Sequence, residues 1–400
     1  MRRSAVRDLL NALARPGMIS FAGGIPAPEL LPVRETARAA AAVLQRHGRP
    51  ALQYGETEGL AELRDWIAAR FSRPHCQLRR ENVMIVTGSQ QALDLIGKVF
   101  LDAGDRVLVE NPTYLAMLSA WRPFRPVFVP VPSDASGLKV DALPPLLAGG
   151  AKLLYLVPNF QNPQGTTLSL ARRRQLLAAL AHHVPRITHH ASRITHPGPV
   201  LIEDDPYSDL RYDGEPLPGL LELDAAPRPG GALATRVLRL GSFSKTLAPG
   251  LRVGWVIAPV EVIDKLVQAK QAADLHTSTL CQHVILELLR QGVLDRQLPR
   301  LRAAYRLRRD TMLAELADHF PPGTTWTRPD GGMFLLVTLP GALRAGTLLQ
   351  RALAHNVAFV PGDDFHLAGS GRNTLRLNFS NATPQKIETG IRRLARLLAD

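Results

Sequence analysis

Through the middle of the chain, short apolar runs bounded by turn residues alternate with stretches whose apolar residues recur at helical spacing. VMIVTG (83–88) is followed by the helix-like QQALDLIGKVFLDAG (90–104). RVLVE (106–110), PVFVPV (126–131), KLLYLVP (152–158), VLIED (200–204), RVLRL (236–240) and RVGWVIAP (252–259) each read as a buried strand. Alternation of this kind predicts an α/β layer around a mostly parallel sheet. Beyond about residue 262 the pattern turns helical, including DRQLPRLRAAYRLRRDTMLAELADHF (295–320), before strand candidates return at GGMFLLVTL (331–339) and NTLRLNF (373–379). The expected organisation is an N-terminal arm over 1–20, a large domain over 50–290, and a smaller α+β domain made from 21–49 and 291–400.

One stretch departs from this pattern. In VPRITHHASRITHPGP (184–199) the tetrapeptide RITH occurs twice, and five of the chain's twelve histidines lie between His182 and His196. Their spacing matches no ligand pattern and no acidic partner is near, so the segment reads as an exposed insertion and not a metal site.

Composition narrows the classes. A chain of 400 residues with 46% hydrophobic and 21% charged residues suits a folded globular protein of two domains. No apolar run reaches membrane-spanning length. MRRSAVRDLLNALARPG (1–17) has charges where a signal core would be apolar, and reads as a short amphipathic helix. Only Cys76 and Cys281 are present, without CxxC spacing, which excludes a disulfide framework and a thiolate zinc site and fits a reducing cytoplasm. The formal charge of +13 raises nucleic acid as a partner, but arginines are scattered and aromatics sparse, so sites for anionic ligands are the better reading.

The candidate chemistry starts with an anion. A strand ends at Gly88, and Ser89 is placed to cap the following helix, whose free N–H groups suit a phosphate. Ser242 and Ser244 add hydroxyls and Arg252 a fixed cation with paired donors. Lys245 stands within this cluster, flanked by strand patterns that make a solvated surface lysine a poor description. An amine beside a phosphate cup points to a phosphate-bearing aldehyde held as a Schiff base, and pyridoxal phosphate is that molecule. Its ring nitrogen requires a carboxylate, which EDDPYSDL (203–210) offers at the carboxyl end of a strand. Asp204 and Asp205 alternate in direction along an extended chain, so only one reaches the ring. Tyr207 and Asn162 are donors for the ring oxygen, and Tyr114 is placed to stack on the ring.

In this order GSQQAL, NFQNPQG, EDDPYSDL, SFSKTLAPGLRVGW and RLNFS resemble the fold-type I pyridoxal-phosphate aminotransferases, the α-aminoadipate aminotransferase branch above all. The resemblance runs from about residue 4 to the C-terminus. It implies Lys245 as the cofactor-binding lysine and Asp204 as the carboxylate at the ring nitrogen. It implies Tyr207 and Asn162 at the ring oxygen, Tyr114 on the ring face, and Ser89, Gln90, Ser242 and Arg252 on the phosphate. By the same resemblance Tyr54 reaches the phosphate of a neighbouring subunit in a homodimer, and Arg376 grips the substrate α-carboxylate. Ser4 and Arg7 would lie near the substrate side chain, with Gly23 and Gly24 near its backbone. An arginine there favours 2-aminoadipate or glutamate, whereas a movable helix would admit aromatic or aliphatic amino acids. The expected activity is transamination to a 2-oxo acid such as 2-oxoglutarate by a ping-pong mechanism. A lyase or decarboxylase on the same anchors is the alternative, and a regulator-derived domain is disfavoured because no DNA-binding segment precedes Ser4.

Overall fold

A computed structural model of the chain describes residues 16–182, 198–227, 233–341 and 343–399. At its centre lies an eight-stranded sheet. In chain order its strands are β1 (Val83–Val86), β2 (Arg106–Asn111), β3 (Val127–Asp134), β4 (Gly137–Leu138), β5 (Ala151–Leu156), β6 (Val200–Asp204), β7 (Val237–Ser242) and β8 (Gly254–Ile257). Across the sheet they run β1–β8–β7–β6–β5–β2–β3–β4. β7, β6, β5, β2 and β3 are parallel, β8 is antiparallel to both β1 and β7, and the two-residue β4 folds back on β3. The strand runs legible in the sequence are the long strands of this sheet.

Most of them read as continuous apolar runs because both faces are covered. β3, also expected to be buried, is not: Val127 and Pro130 are exposed and Val131 alone is buried, in a strand with only the two-residue β4 beyond it at the sheet edge. Along β1, Met84 and Val86 join one core with Leu240 and Val256, while Val83 and Ile85 join a second core with Val237 and Ile257 on the opposite face. Helices Ser89–Phe100 and Val260–Gln271 bury apolar residues in the first core, and Thr279–Arg290 does so in the second. Each parallel strand ends at the same edge of the sheet, which brings Gly88, the loop 158–165, Asp204 and the turn after β7 together.

A second sheet comprises β9 (Thr325–Trp326), β10 (Phe334–Thr338), β11 (Val360–Pro361) and β12 (Thr374–Asn378), ordered β9–β10–β12–β11 and antiparallel throughout. The two C-terminal strands expected from the pattern pair directly, with Leu336 opposite Arg376. Helix Val293–His319 has 27 residues, a length of about 40 Å. It packs against Pro384–Ala399. The start of the described chain is tied to the small sheet: Ile19–Ser20 pairs in parallel with Val357–Ala358, and Asn378 donates its N–H to the Phe21 carbonyl. This carries Gly24 to the edge where the large sheet's strands end.

Candidate active site

The anion-binding side forms where β1 and β7 end. Here the structure corrects one expectation: Ser89 is the first residue of helix Ser89–Phe100, and Gly88 holds the cap position without any side-chain cap bond. Gly88 lies at φ 75°, and a Cβ there would sit 2.5 Å from Arg252 Nη2. The glycine is thus what lets the guanidinium lie beside the helix start, where Ser89 lines the cavity. Arg252 itself adopts φ 53° and donates through Nη1 to Ser244 Oγ at 3.4 Å. Ser242 Oγ donates to Ser244 Oγ at 2.9 Å and accepts from the Ser244 N–H at 3.1 Å, so the two hydroxyls are held together. Gln90 donates to the Ala116 carbonyl at 3.0 Å, linking this cup to the segment that follows Tyr114.

Lys245 projects from the turn after β7. Its Nζ donates to the Gly24 carbonyl at 2.7 Å. Burial, followed by the charges of Arg376 and Arg252, pulls the amine down to about 8, with Asp204 acting in the opposite sense. An amine so placed is partly neutral near physiological pH, as a base or nucleophile must be.

The alternation along β6 separates its acids. Asp204 faces the cavity, buried to 3% exposure. Its Oδ2 accepts the Tyr155 O–H at 2.7 Å, and its Oδ1 has no hydrogen-bond partner among the described residues. Burial pushes this carboxyl up to about 7; the Tyr155 bond and Lys245 pull the other way, and Asp205 adds to the rise. Glu203 and Asp205 point to the opposite face and both pair with the buried Arg239. Glu203 also accepts the N–H groups of Leu220 and Leu221 at 2.8 and 3.0 Å. Asp205 is therefore committed to the scaffold.

On the far side of the cavity Arg376, from the middle of β12, lies between the rings of Phe334 and Phe365, 4.4 and 5.1 Å from their centroids. It donates to Asn162 Oδ1 at 2.8 Å and to the Ala22 carbonyl, while its buried Nε has no partner among the described residues. Burial pulls it down to about 10, so it remains a cation at neutral pH. Asn162 is also a hydrogen-bond partner of Tyr207, whose hydroxyl burial drives well above the ordinary phenol range. The loop carrying Asn162 is held by the buried Arg173, which donates to the carbonyls of Pro158 and Leu168 and to Asn159 Oδ1. Tyr114 precedes helix Leu115–Trp121, its hydroxyl pushed up by burial to about 12.

These groups share one cavity of about 430 Å³, in the range of small-molecule sites. Ser89, Gln90, Ser242, Ser244 and Arg252 line one end; Tyr114, Asn162, Asp204, Tyr207, Lys245, Gly24 and Arg376 line the rest. Gly23 lies one residue outside the lining. Tyr54 is also outside it: 77% exposed, with its ring edge-on to His276 at 5.6 Å. Ser4, Arg7 and most of the 184–199 segment lie outside the described residues. Tyr155, Phe334 and Phe365 were not singled out from the sequence. Each reads there as an ordinary core residue; the strand pairing shows what Tyr155 and Phe334 touch, and the one-turn helix Asp363–Phe365 carries Phe365 to Arg376.

An orphaned carboxylate oxygen, a partly neutral lysine and a serine–arginine cup in one enclosure fit a phosphate-bearing pyridine aldehyde. Fold and site together define a fold-type I, pyridoxal-phosphate-dependent transferase. Residues 17–394 match the family model of aminotransferase class I and II. The chain is 45% identical to the 2-aminoadipate transaminase of Thermus thermophilus, covering 100% of this chain and 94% of the relative. It is 39% identical to aromatic-amino-acid aminotransferase 1 of Thermococcus litoralis, covering 100% and 92%. The crystal structure of the α-aminoadipate aminotransferase of Thermus thermophilus, complexed with N-(5'-phosphopyridoxyl)-L-leucine, superimposes with a TM-score of 0.88 at 44% identity, covering 100% of this chain and 95% of that one. The chain belongs to the class I and II aminotransferases and is an aminotransferase.

Proposed function

We propose that the protein moves the amino group of an L-amino acid to a 2-oxo acid, with 2-oxoglutarate as acceptor, in ping-pong order. The donor is 2-aminoadipate or glutamate, or a broader aromatic and aliphatic range; the names of the relatives support both. One observation carries the reading: Lys245, Asp204 and Arg376 line one cavity whose end is a serine–arginine cup.

Pyridoxal 5'-phosphate, when bound, supplies an aldehyde that condenses with amines and a ring that takes up the electrons released at the substrate Cα. In this reading Ser89, Gln90, Ser242, Ser244 and Arg252 bind its phosphate. Asp204 holds a proton on the ring nitrogen, Tyr207 and Asn162 contact the ring oxygen, and Tyr114 stacks on the ring. Arg376 pairs with the substrate α-carboxylate, with Gly23 and Gly24 beside the substrate backbone and Ser4 and Arg7 toward its side chain. Lys245 Nζ, once free, takes the proton from Cα, a role worth on the order of 10²–10⁴-fold in rate. The exposed Tyr54 is unused by its own cavity and suits the phosphate of a second subunit, so the working unit is a homodimer. An N-terminal arm over 1–20, a large domain over 50–290 and a small domain from 21–49 and 291–400 complete the reading. Among the described residues no helix is long and apolar enough to cross a membrane. The cysteine usage supports a cytoplasmic setting.

The test is a panel of amino donors with 2-oxoglutarate, scored for 2-oxo acid and glutamate. Ammonia or CO₂ released without an acceptor would mark a lyase or decarboxylase and refute transamination.

A further inference from the structure

The Asp204 carboxylate does not stand alone. Tyr155 lies in β5, the strand paired with β6, and is fully buried. Its hydroxyl donates to Asp204 Oδ2 at 2.7 Å, leaving Oδ1, in a residue that lines the cavity, without a partner among the described residues. The ring is locked from behind, edge-on to Trp121 at 5.8 Å and 83°, and the Trp121 indole in turn donates to the Leu93 carbonyl at 2.7 Å. The tyrosine therefore has little freedom to swing away from the acid.

We propose that Tyr155 is a positioning residue for the reaction: its hydroxyl fixes one oxygen of Asp204 and weakens the carboxylate as a base, so that a proton shared with the cofactor's ring nitrogen stays on the nitrogen. This rests on the functional reading above and deepens it by naming what sets the acid's strength. Burial alone works against that task, because a buried carboxylate binds protons more tightly. A protonated Asp204 facing a neutral ring nitrogen would leave the ring a poorer electron acceptor. The Tyr155 bond is the largest effect opposing burial at Asp204; the charge of Lys245 acts in the same direction and that of Asp205 against it. Burial, then the neighbouring charge of Asp204, drive the Tyr155 phenol itself well above its ordinary value, so it stays a donor throughout the working range. Asp204 ionised only accepts, Tyr155 protonated donates, and the pair has one orientation.

The experiment uses holoenzyme loaded with ring-¹⁵N pyridoxal phosphate. In the wild type the nitrogen shift should report a protonated ring near neutral pH. In Tyr155→Phe, which keeps the ring packed on Trp121, it should move toward the unprotonated value. With it, kcat should fall about ten- to a hundredfold, the range expected when a hydrogen bond to a charged group is lost. KM for the amino acid should change less than about threefold, since the substrate carboxylate is bound elsewhere. Incorporating 3-fluorotyrosine at 155, a stronger donor of nearly the same shape, should push the shift in the opposite direction, and it keeps the test available should the phenylalanine variant fold poorly. An unchanged ¹⁵N shift in both variants, or equal changes in kcat and in folding stability with no spectral effect, overturns the proposal. Failure of the underlying reading looks different: the wild type would then bind no cofactor and give no signal.

Discussion

Asp204→Asn and Asp205→Asn each neutralise one of two adjacent acids, and the surroundings make the expected consequences opposite. Asp204 is buried against Tyr155 with one oxygen free, and its proton affinity rises from an ordinary 3.8 to about 7. That interval spans about three pH units, so at ~1.36 kcal/mol each the ionised carboxylate costs the cofactor-free protein about 4 kcal/mol. Because the folded value is raised, the cost is absent below pH 3.8, accumulates up to about 7 and is complete above it. Asparagine removes this cost but leaves an unpartnered amide, which returns about 1–3 kcal/mol. Asp204→Asn apoprotein should thus gain about 1–3 kcal/mol at pH 8, while kcat drops about 10²–10³-fold for want of the charge at the ring nitrogen. Asp205→Asn breaks a buried pair with Arg239. Glu203 still faces that arginine, so the loss should fall at the low end for such pairs, about 3 kcal/mol, with kcat per folded molecule nearly intact. Urea unfolding of both apoproteins at pH 4 and 8, set beside steady-state kinetics of the holoenzymes, checks the pair. Equal losses of kcat, or an Asp204→Asn apoprotein whose stability relative to wild type does not rise with pH, would refute the assignment of the two acids.

Lys245→Ala should abolish both the visible band of lysine-bound cofactor and turnover, read by absorbance and by borohydride fixation to the 245 peptide; retention of either sinks the lysine's role. Gly88→Ala would place a Cβ 2.5 Å from Arg252 Nη2 at a φ of 75°, so cofactor affinity should fall about tenfold or more, measured by equilibrium titration of the apoprotein. An unchanged Kd would mean that Arg252 does not serve the phosphate. Arg7→Ala should raise KM for 2-aminoadipate and glutamate about tenfold while sparing leucine; equal changes for acidic and apolar donors would remove this arginine from substrate selection.

Most of the large sheet was legible because its inner strands are buried on both faces and so appear as unbroken apolar runs, whereas β3 shows the same apolar run from a position near the sheet edge where most of its residues are at least partly open. The acids of β6 were legible for the converse reason, since strict alternation leaves only one of two neighbours for the cavity. What stayed hidden depends on how distant segments line up. Tyr155 meets Asp204 across 49 positions of sequence through the pairing of β5 with β6, and nothing local distinguishes it from a core tyrosine. Phe334 reaches Arg376 from the paired strand β10 and Phe365 from the one-turn helix Asp363–Phe365, and neither contact leaves a local trace. Ser89 was misread as a helix cap because serine is favoured there, whereas the close approach of Arg252 requires a glycine one residue earlier. The two-residue pairing of Ile19–Ser20 with Val357–Ala358 is too short to leave a periodic trace.

The acidic triplet at the end of β6 also guards the assembly of the sheet. Were that strand to slide by a single position between β5 and β7, Glu203 and Asp205 would swing round together and the buried Arg239 would lose both carboxylates bonded to it. Leaving such a buried cation uncompensated costs about 3–5 kcal/mol, a large part of the stability of an ordinary domain. Misaligned chains would be penalised by charge before any ligand arrives, so the sequence that equips the enzyme for catalysis also proofreads its own folding.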